Sequence, residues 1–301
     1  MALSGRDRKA RRGLRAGARA TLLAALLVAI TACSGTTFVY NRLDTILPWY
    51  VDDYVDLDSP QRQLLDQALQ PFLRWHRRQE LPRYVALLAD LDTDLDRPVT
   101  ASEVATVFND MEMAWLRLEK ESLEWLLELG ANLSDAQVQE FLAYLRERQQ
   151  EYEDDYLTRT EAEYREETYD SFAESLRDYL GKLTPAQRER LRLASAALER
   201  SDAAWLAERA AWLDRLAVML QRQPGWQQRV RDALARRGET QSPRYRQVYE
   251  HNLQVVFGAV ADVLNERTEK QDRHLRAELA DLREDLETLI AQGARVPVKS
   301  G

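Results

Sequence analysis

Four times in this chain an apolar residue is followed by a residue that can cap a helix, two variable positions, and then a glutamine or glutamate. The pattern reads Leu57-Asp58-Ser59-Pro60-Gln61, Val99-Thr100-Ala101-Ser102-Glu103, Leu133-Ser134-Asp135-Ala136-Gln137 and Leu183-Thr184-Pro185-Ala186-Gln187. In each, the Asp, Thr or Ser oxygen can accept a hydrogen bond from a free amide of the first turn, and the residue three positions on can accept one from the cap's own amide. Pro185 takes the first helical position, where no N–H is needed, and Ser242-Pro243 makes a fifth start of the same kind. Ala, Leu, Glu, Arg and Gln, all strong helix formers, fill the intervals. No run alternates β-branched residues as a half-buried strand would, so the expected fold class is all-α.

Caps and breakers divide the chain into helices near 59–80, 82–92, 100–130, 134–180, 184–222, 225–237 and 243–292, with punctuation at Pro82, Arg97-Pro98, Gly130, Gly181, Pro224-Gly225 and Gly238. The boxes are 42, 34 and 50 residues apart, too uneven for a solenoid of identical repeats. After Thr100, apolar positions recur at steps of four and three through Val104, Phe108, Met111, Trp115, Leu118, Trp125 and Leu129, with Ser122 in the same seam. Leu275, Leu279, Leu282, Leu286 and Leu289 repeat the spacing near the C-terminus. Heptad seams in helices of about 45 to 75 Å, at 1.5 Å per residue, predict an elongated bundle of long antiparallel helices with coiled-coil-like packing.

The N-terminus has a different character. Arg6, Arg8, Lys9, Arg11, Arg12, Arg15 and Arg19 make a basic segment with one acid, Asp7, and the uncharged run Ala20 to Ala32 follows at once. That run falls short of the roughly 20 residues a helix needs to cross a membrane, and its order is that of a secretory signal. Its end, Ile30-Thr31-Ala32-Cys33, resembles the lipobox of bacterial lipoproteins. The resemblance implies a diacylglyceryl thioether on Cys33, cleavage before it, and acylation of the new amino group, several chains being what stable anchoring takes. Ser34 after the cysteine, where aspartate would favour retention in the inner membrane, implies sorting to the periplasmic face of the outer membrane. The expected organisation is a signal peptide at 1–32, a lipid anchor and leash at 33–58, one helical domain at 59–292 and a flexible tail at 293–301.

Residues 1–32 hold 7 of the 42 Lys and Arg and 1 of the 50 Asp and Glu, so the mature chain carries a net charge of -14. Such a balance argues against a nucleic-acid partner. Cys33 is the only cysteine, and the remaining 269 residues are long enough to bury a core without disulfides. His76, His251 and His274 are scattered, and no glycine-rich phosphate loop, nucleophile elbow or HExxH sequence is present, so neither a metal nor a cofactor is expected. Asp52, Asp53, Asp56 and Asp58 cluster in WYVDDYVDLD without the glycine and final glutamate of a calcium loop, and they read as a solvated turn leading into a cap. Trp75, His76 and Arg77 beside Glu80 read as the end of an amphipathic helix with the tryptophan in the core. The stretch Glu147 to Asp178 has twelve acids against four arginines, with tyrosines at 152, 156, 164, 169 and 179. It is expected to be a solvated projecting helix, or else a surface that binds a cationic partner, or metal ions loosely, with Glu153, Asp154 and Asp155 as the partner-binding residues.

From Tyr40 to Tyr84 the motifs YNRLD, LPWYVDDYVDLD and WHRRQELPRY resemble a domain of unknown function found in predicted Gram-negative lipoproteins. Separately, Leu183-Thr184-Pro185-Ala186-Gln187 is similar to the LTxxQ motif of small periplasmic stress chaperones. Abundant helix and absent catalytic motifs predict a non-enzymatic envelope protein, a scaffold, adaptor or chaperone held to the membrane through Cys33 and binding another protein. The alternative is a cell-wall hydrolase or lyase using carboxylates such as Asp52 or Asp53. Replacing Cys33 with Ala is expected to abolish metabolic lipid labelling and leave the protein as uncut precursor or released from membranes; continued incorporation of lipid would overturn the anchor.

Overall fold

The computed structural model describes residues 35–295, so the signal segment, Cys33, Ser34 and the last six positions lie outside the described residues. Among the described residues there is helix and no strand, and the helices pack against one another as the all-α reading requires. In order they are α1 (Gly35–Tyr40), α2 (Leu43–Asp52), α3 (Ser59–Trp75), a π-helical turn (His76–Glu80), α4 (Leu81–Asp94), α5 (Ala101–Asn132), α6 (Asp135–Tyr156), α7 (Glu161–Leu180), α8 (Pro185–Ala197), α9 (Asp202–Met219), α10 (Trp226–Ala235), α11 (Arg237–Thr240), α12 (Pro243–Asn265) and α13 (Glu269–Arg295). None of them is long and apolar enough to cross a membrane.

All four boxes form as read, with Asp58, Thr100, Ser134 and Thr184 each capping and each capped in return. Ser242 accepts from the Tyr245 amide, although a tyrosine cannot return the bond. Two further starts divide helices that the sequence reading ran together. Thr160 and Glu163 open α7, which splits the expected 134–180 helix. Thr268 and Gln271 bond reciprocally at the start of α13, which splits 243–292. Both lack the leading apolar residue and carry an arginine there instead. The Arg159 side chain reaches Asp202 at 2.7 Å and Glu167 at 2.5 Å. Arg267 bonds Asp272 at 2.7 Å and the Leu264 carbonyl at 2.8 Å, and also donates to the Leu95 carbonyl. The expected 184–222 helix is likewise broken, at Leu198 to Ser201, where the Asn252 amide clasps both the N–H and the carbonyl of Glu199.

One expected break is absent, and one is shifted by two residues. Pro82 does not end a helix, because the preceding π turn widens the backbone and the Leu81 amide bonds back to the His76 carbonyl; the missing proline N–H then falls where the regular ladder is already interrupted. Gly130 lies in the last turn of α5, which ends at Asn132, and its lack of a side chain admits the Trp226 ring, whose edge would be 3.3 Å from any added Cβ. Residues 35–52, read as a leash, are two helices, and the last helix continues to Arg295.

The apolar seams of α5 and α13 each serve more than one core. Near the start of α5, Leu95, Val99, Leu180, Leu183, Leu191, Val263 and Leu275 form a cluster that also receives Val104. Near its end, Trp125 and Leu129 pack with Val55, Leu57, Leu65 and Leu69 on one side. On the other, Leu123 and Leu127 meet Met219, Trp226 and Val230. The second half of α13 supplies Leu286 and Leu289 to a fourth cluster with Leu81 and Tyr84. Leu81 meets Leu286 while Arg276 bonds Asp92, so α4 and α13 run antiparallel.

Two glutamine pairs join helix starts that are distant in sequence. Gln61 and Gln137, the returning residues of two boxes, bond each other through their amides at 2.9 and 2.7 Å, while their amide nitrogens also donate to the carbonyls of Asn132 and Asp56 respectively. Gln187 and Gln271 repeat the arrangement at 3.2 and 2.9 Å, with the carbonyls of Val263 and Lys182. Gln187 is fully buried. Gln187→Ala would orphan a cap amide, the Val263 carbonyl and one side of Gln271, and is expected to lower stability by about 2 to 4 kcal/mol. Urea denaturation should also show that adding Gln271→Ala costs less than it does alone, since both act on one network.

Candidate functional site

The acidic residues nominated from sequence are engaged locally. Asp52 and Asp56 both bond Arg62, at 2.6 and 3.1 Å, and Asp58 caps α3. Asp53 is exposed. One Asp52 oxygen is buried with no hydrogen-bond partner among the described residues. The Glu147 to Asp178 stretch is not a projecting helix: α6 packs on α9, and α7 packs on α8 and α13. Its tyrosines turn inward, Tyr152 and Tyr156 onto Trp205 and Tyr164 into the interior. Glu153 is half-buried and bonded to Gln149, Asp154 accepts from Gln150 at 2.9 Å, and Asp154 and Asp155 face solvent.

The interior is most polar at the π turn. Sequence reading put Trp75 in the core, but the widened turn rotates the next residues inward: His76 and Glu80 are buried while Trp75 is only half-buried. Glu80 is held by the Arg117 guanidinium, whose Nε lies 2.8 and 2.9 Å from the two carboxylate oxygens and whose Nη2 donates at 2.8 Å. Arg83 adds a longer contact at 3.7 Å. Such a pair is costly to leave half-made, and it fixes α4 to α5. His76 Nδ1 and the Tyr40 hydroxyl share a hydrogen bond of 2.8 Å, which ties α1 to the turn. Burial pushes the Tyr40 hydroxyl up to about 12, against the opposing pull of Arg77. Burial likewise raises Tyr84, whose hydroxyl has no partner among the described residues. The His76 ring faces Tyr84 edge-on at 5.7 Å and stacks on Phe72 at 6.5 Å.

Through Phe72 the turn supports an open groove. Phe72 meets Trp125 edge-on at 6.1 Å, and these two rings with Pro71, Ala68 and Leu127 form the apolar part of a groove of about 620 Å³ between α3, α5 and α10. Its charged part is one-sided. Glu121, Glu124 and Glu128 stand in a row on α5, with Gln227 and Arg231 of α10 opposite. Arg231 forks onto Glu124 at 2.8 and 2.7 Å, and that hydrogen bond holds the Glu124 carboxyl below its ordinary range. Glu121 and Glu128 have no ion pair among the described residues. Trp125 Nε1 is buried and also lacks a partner among them. Sequence reading had placed Trp125 in the α5 seam but had no signal for the groove, whose walls are about 50 to 160 positions apart along the chain.

At the turn, an arginine-paired carboxylate and a buried imidazole join three helices. Desolvation lowers the His76 pKa to about 4; Glu80 opposes the shift and Arg77 adds to it. Because the folded value lies below the unfolded value of about 6.5, the stability this ring contributes is complete above pH 6.5 and is lost as pH falls from there through about 4. Between pH 7.5 and 5 the protein is expected to lose about 2 kcal/mol from this group. Urea midpoints at the two pH values should show that increment in the parent and its absence in His76→Gln.

No curated protein and no solved structure matches the chain. A family model does, over residues 53–246, a span that includes the π turn and all three walls of the groove. On that match the chain belongs to the family described as Family of unknown function (DUF6279).

Proposed function

We propose that the protein is a lipid-anchored, non-enzymatic scaffold or adaptor of the bacterial envelope, and that the groove between α3, α5 and α10 seats a basic amphipathic segment of another protein. The observation that carries this reading is the pairing of an aromatic floor, Phe72 and Trp125, with a one-sided row of acids, Glu121, Glu124 and Glu128. Apolar residues of an incoming helix would sit on the rings while its Lys or Arg side chains meet the row, the mode by which amphipathic helices dock in grooves. The lipobox-like Ile30 to Cys33 and the basic leader support the anchor, and Ser34 supports the periplasmic face of the outer membrane.

A glycosidase-like hydrolase is less well supported. That chemistry needs two carboxylates flanking a substrate across a cleft. The groove's acids all stand on α5, Asp52 is paired with Arg62, and Asp53 lies outside the groove lining.

The test is photo-crosslinking in intact cells from position 227 on the groove's lip, followed by identification of the captured protein. Reversing Glu121, Glu124 and Glu128 to Lys is expected to reduce capture roughly fivefold or more, since three exposed charge contacts are together worth about 1 to 3 kcal/mol. Added salt should weaken capture in the parent by screening. The corresponding reversal of Glu153, Asp154 and Asp155 on α6 serves as the comparison. Unchanged capture by the folded α5 variant, with loss in the α6 variant, would move the binding surface to the end of α6.

A further inference from the structure

Four of the nine large apolar or aromatic side chains left exposed among the described residues lie in the first sixteen of them: Phe38, Val39, Trp49 and Tyr50. Trp49 is 68% exposed, Phe38 56% and Tyr50 52%. Scattered exposed apolar residues are ordinary, but a concentration at one end of the chain is not. The helix that carries two of them, α2, has no buried residue although Ile46 to Val51 is an unbroken non-polar run. Its inner side is accounted for: Leu47 and Val51 lean on the cluster around Val55 and Leu65. Its outer side carries Trp49 and Tyr50 at the C-terminal end, with the exposed Asp44 and Thr45 a turn earlier. Two large rings exposed side by side at the end of a helix favour an apolar neighbour, and no other described helix covers them.

What covers it follows from position. Gly35, the first residue of α1, is two places after Cys33. With those two steps extended at up to about 3.6 Å each and the rest helical at 1.5 Å per residue, the Phe38 backbone lies within about 12 Å of the acylated cysteine. A headgroup region is about 5 to 8 Å deep on each side of a bilayer. The residue types fit as well, because Trp and Tyr favour the membrane–water boundary, where ring and polar tip are both satisfied. Tyr50 already directs its hydroxyl to Tyr54 at 2.7 Å, and the Arg42 guanidinium lies 3.5 Å from the centre of the Phe38 ring.

We infer that α1 and α2 form a membrane-surface contact in which Phe38, Trp49 and Tyr50 enter the headgroup layer beside the lipidated Cys33. This rests on the lipid anchor of the proposed function and is independent of the groove. The segment 35–53 has one cation, Arg42, against Asp44, Asp52 and Asp53, so the contact is driven by aromatic burial rather than by anionic lipid. It converts a tether into a docked orientation, because the α1–α13 packing, with Thr37 bonded to Asp285 at 3.2 Å and Asn41 to Gln292 at 3.0 Å, carries the constraint into the body.

The experiment uses the full-length protein extracted from bacterial membranes and reconstituted into zwitterionic phosphatidylcholine vesicles, with and without acyl-brominated phosphatidylcholine as a quencher of tryptophan emission. The parent should be quenched at low and high salt alike, Trp49→Phe should lose most of that quenching, and Trp205→Phe should keep it. A protein that carries lipid by mass spectrometry and stays on the vesicles, yet is quenched equally with and without Trp49, overturns the contact and leaves the anchor standing. A protein with no lipid on Cys33 that leaves the vesicles overturns both. Photo-crosslinking from position 50 to a second copy or to another protein, with no Trp49-dependent quenching, overturns the contact and reassigns the surface.

Discussion

A glutamine side chain that closes its own helix cap and at the same moment bonds a second glutamine doing the same for another helix is the interaction on which this fold turns. It occurs twice, Gln61 with Gln137 and Gln187 with Gln271, and each time it brings together two helix starts with no sequence relation beyond the cap. A helix end buried in an all-α core is a problem, because its first amides have no partner inside the helix. Here each buried end is satisfied by its cap, and the amide left over is satisfied by the opposite cap and a nearby carbonyl. The apolar clusters form around these junctions: Leu57, Leu65 and Leu129 by the first, Leu183, Leu191 and Val263 by the second. Apolar packing supplies most of the driving force, yet it is non-directional. The amides set which start faces which.

Much of this was legible in the sequence because capping is local chemistry. A cap, its returning partner and an apolar residue in front suffice to place a helix start, and the four motifs with all three parts were read correctly. Thr160 and Thr268 escaped because Arg159 and Arg267 occupy the leading position. Those arginines do the work of an apolar lead by a different route, bonding carboxylates and carbonyls from elsewhere in the fold, and no local rule anticipates a partner such as Asp202 or Leu95. Pro82 misled for the opposite reason. Proline usually ends a helix, and here it was overridden by the widened turn before it.

The candidate site was less legible, and the reason is geometric. Glu121, Glu124 and Glu128 are three acids among many on helices rich in acids, and nothing in their spacing sets them apart. They become a row beside an aromatic floor only when α3 and α10 are laid against α5. The group at His76 was visible as a sequence, but its direction was not, since a single π turn decides which of Trp75, His76 and Glu80 faces inward. That turn also links regions a regular helix would leave unrelated. Through Tyr40 it holds α1, through Arg117 it holds α5, and through Phe72 it props the groove floor.

The apolar interior is partitioned into four clusters along α5 and α13 rather than gathered into one. Cooperativity in a folded chain follows from shared burial, and here α5 and α13 each contribute to more than one cluster. The cluster of Leu127, Met219, Trp226 and Val230 meets the rest of the body through α5 and α9, so α10 can separate from it without exposing the residues around Leu183 and Val263. Amide hydrogens of α10 would then exchange through a partial opening, while those of α5 and α13 wait for global unfolding. A wall of the groove thus sits on a short helix at one end of a cluster, and its width follows a local equilibrium rather than the stability of the whole molecule.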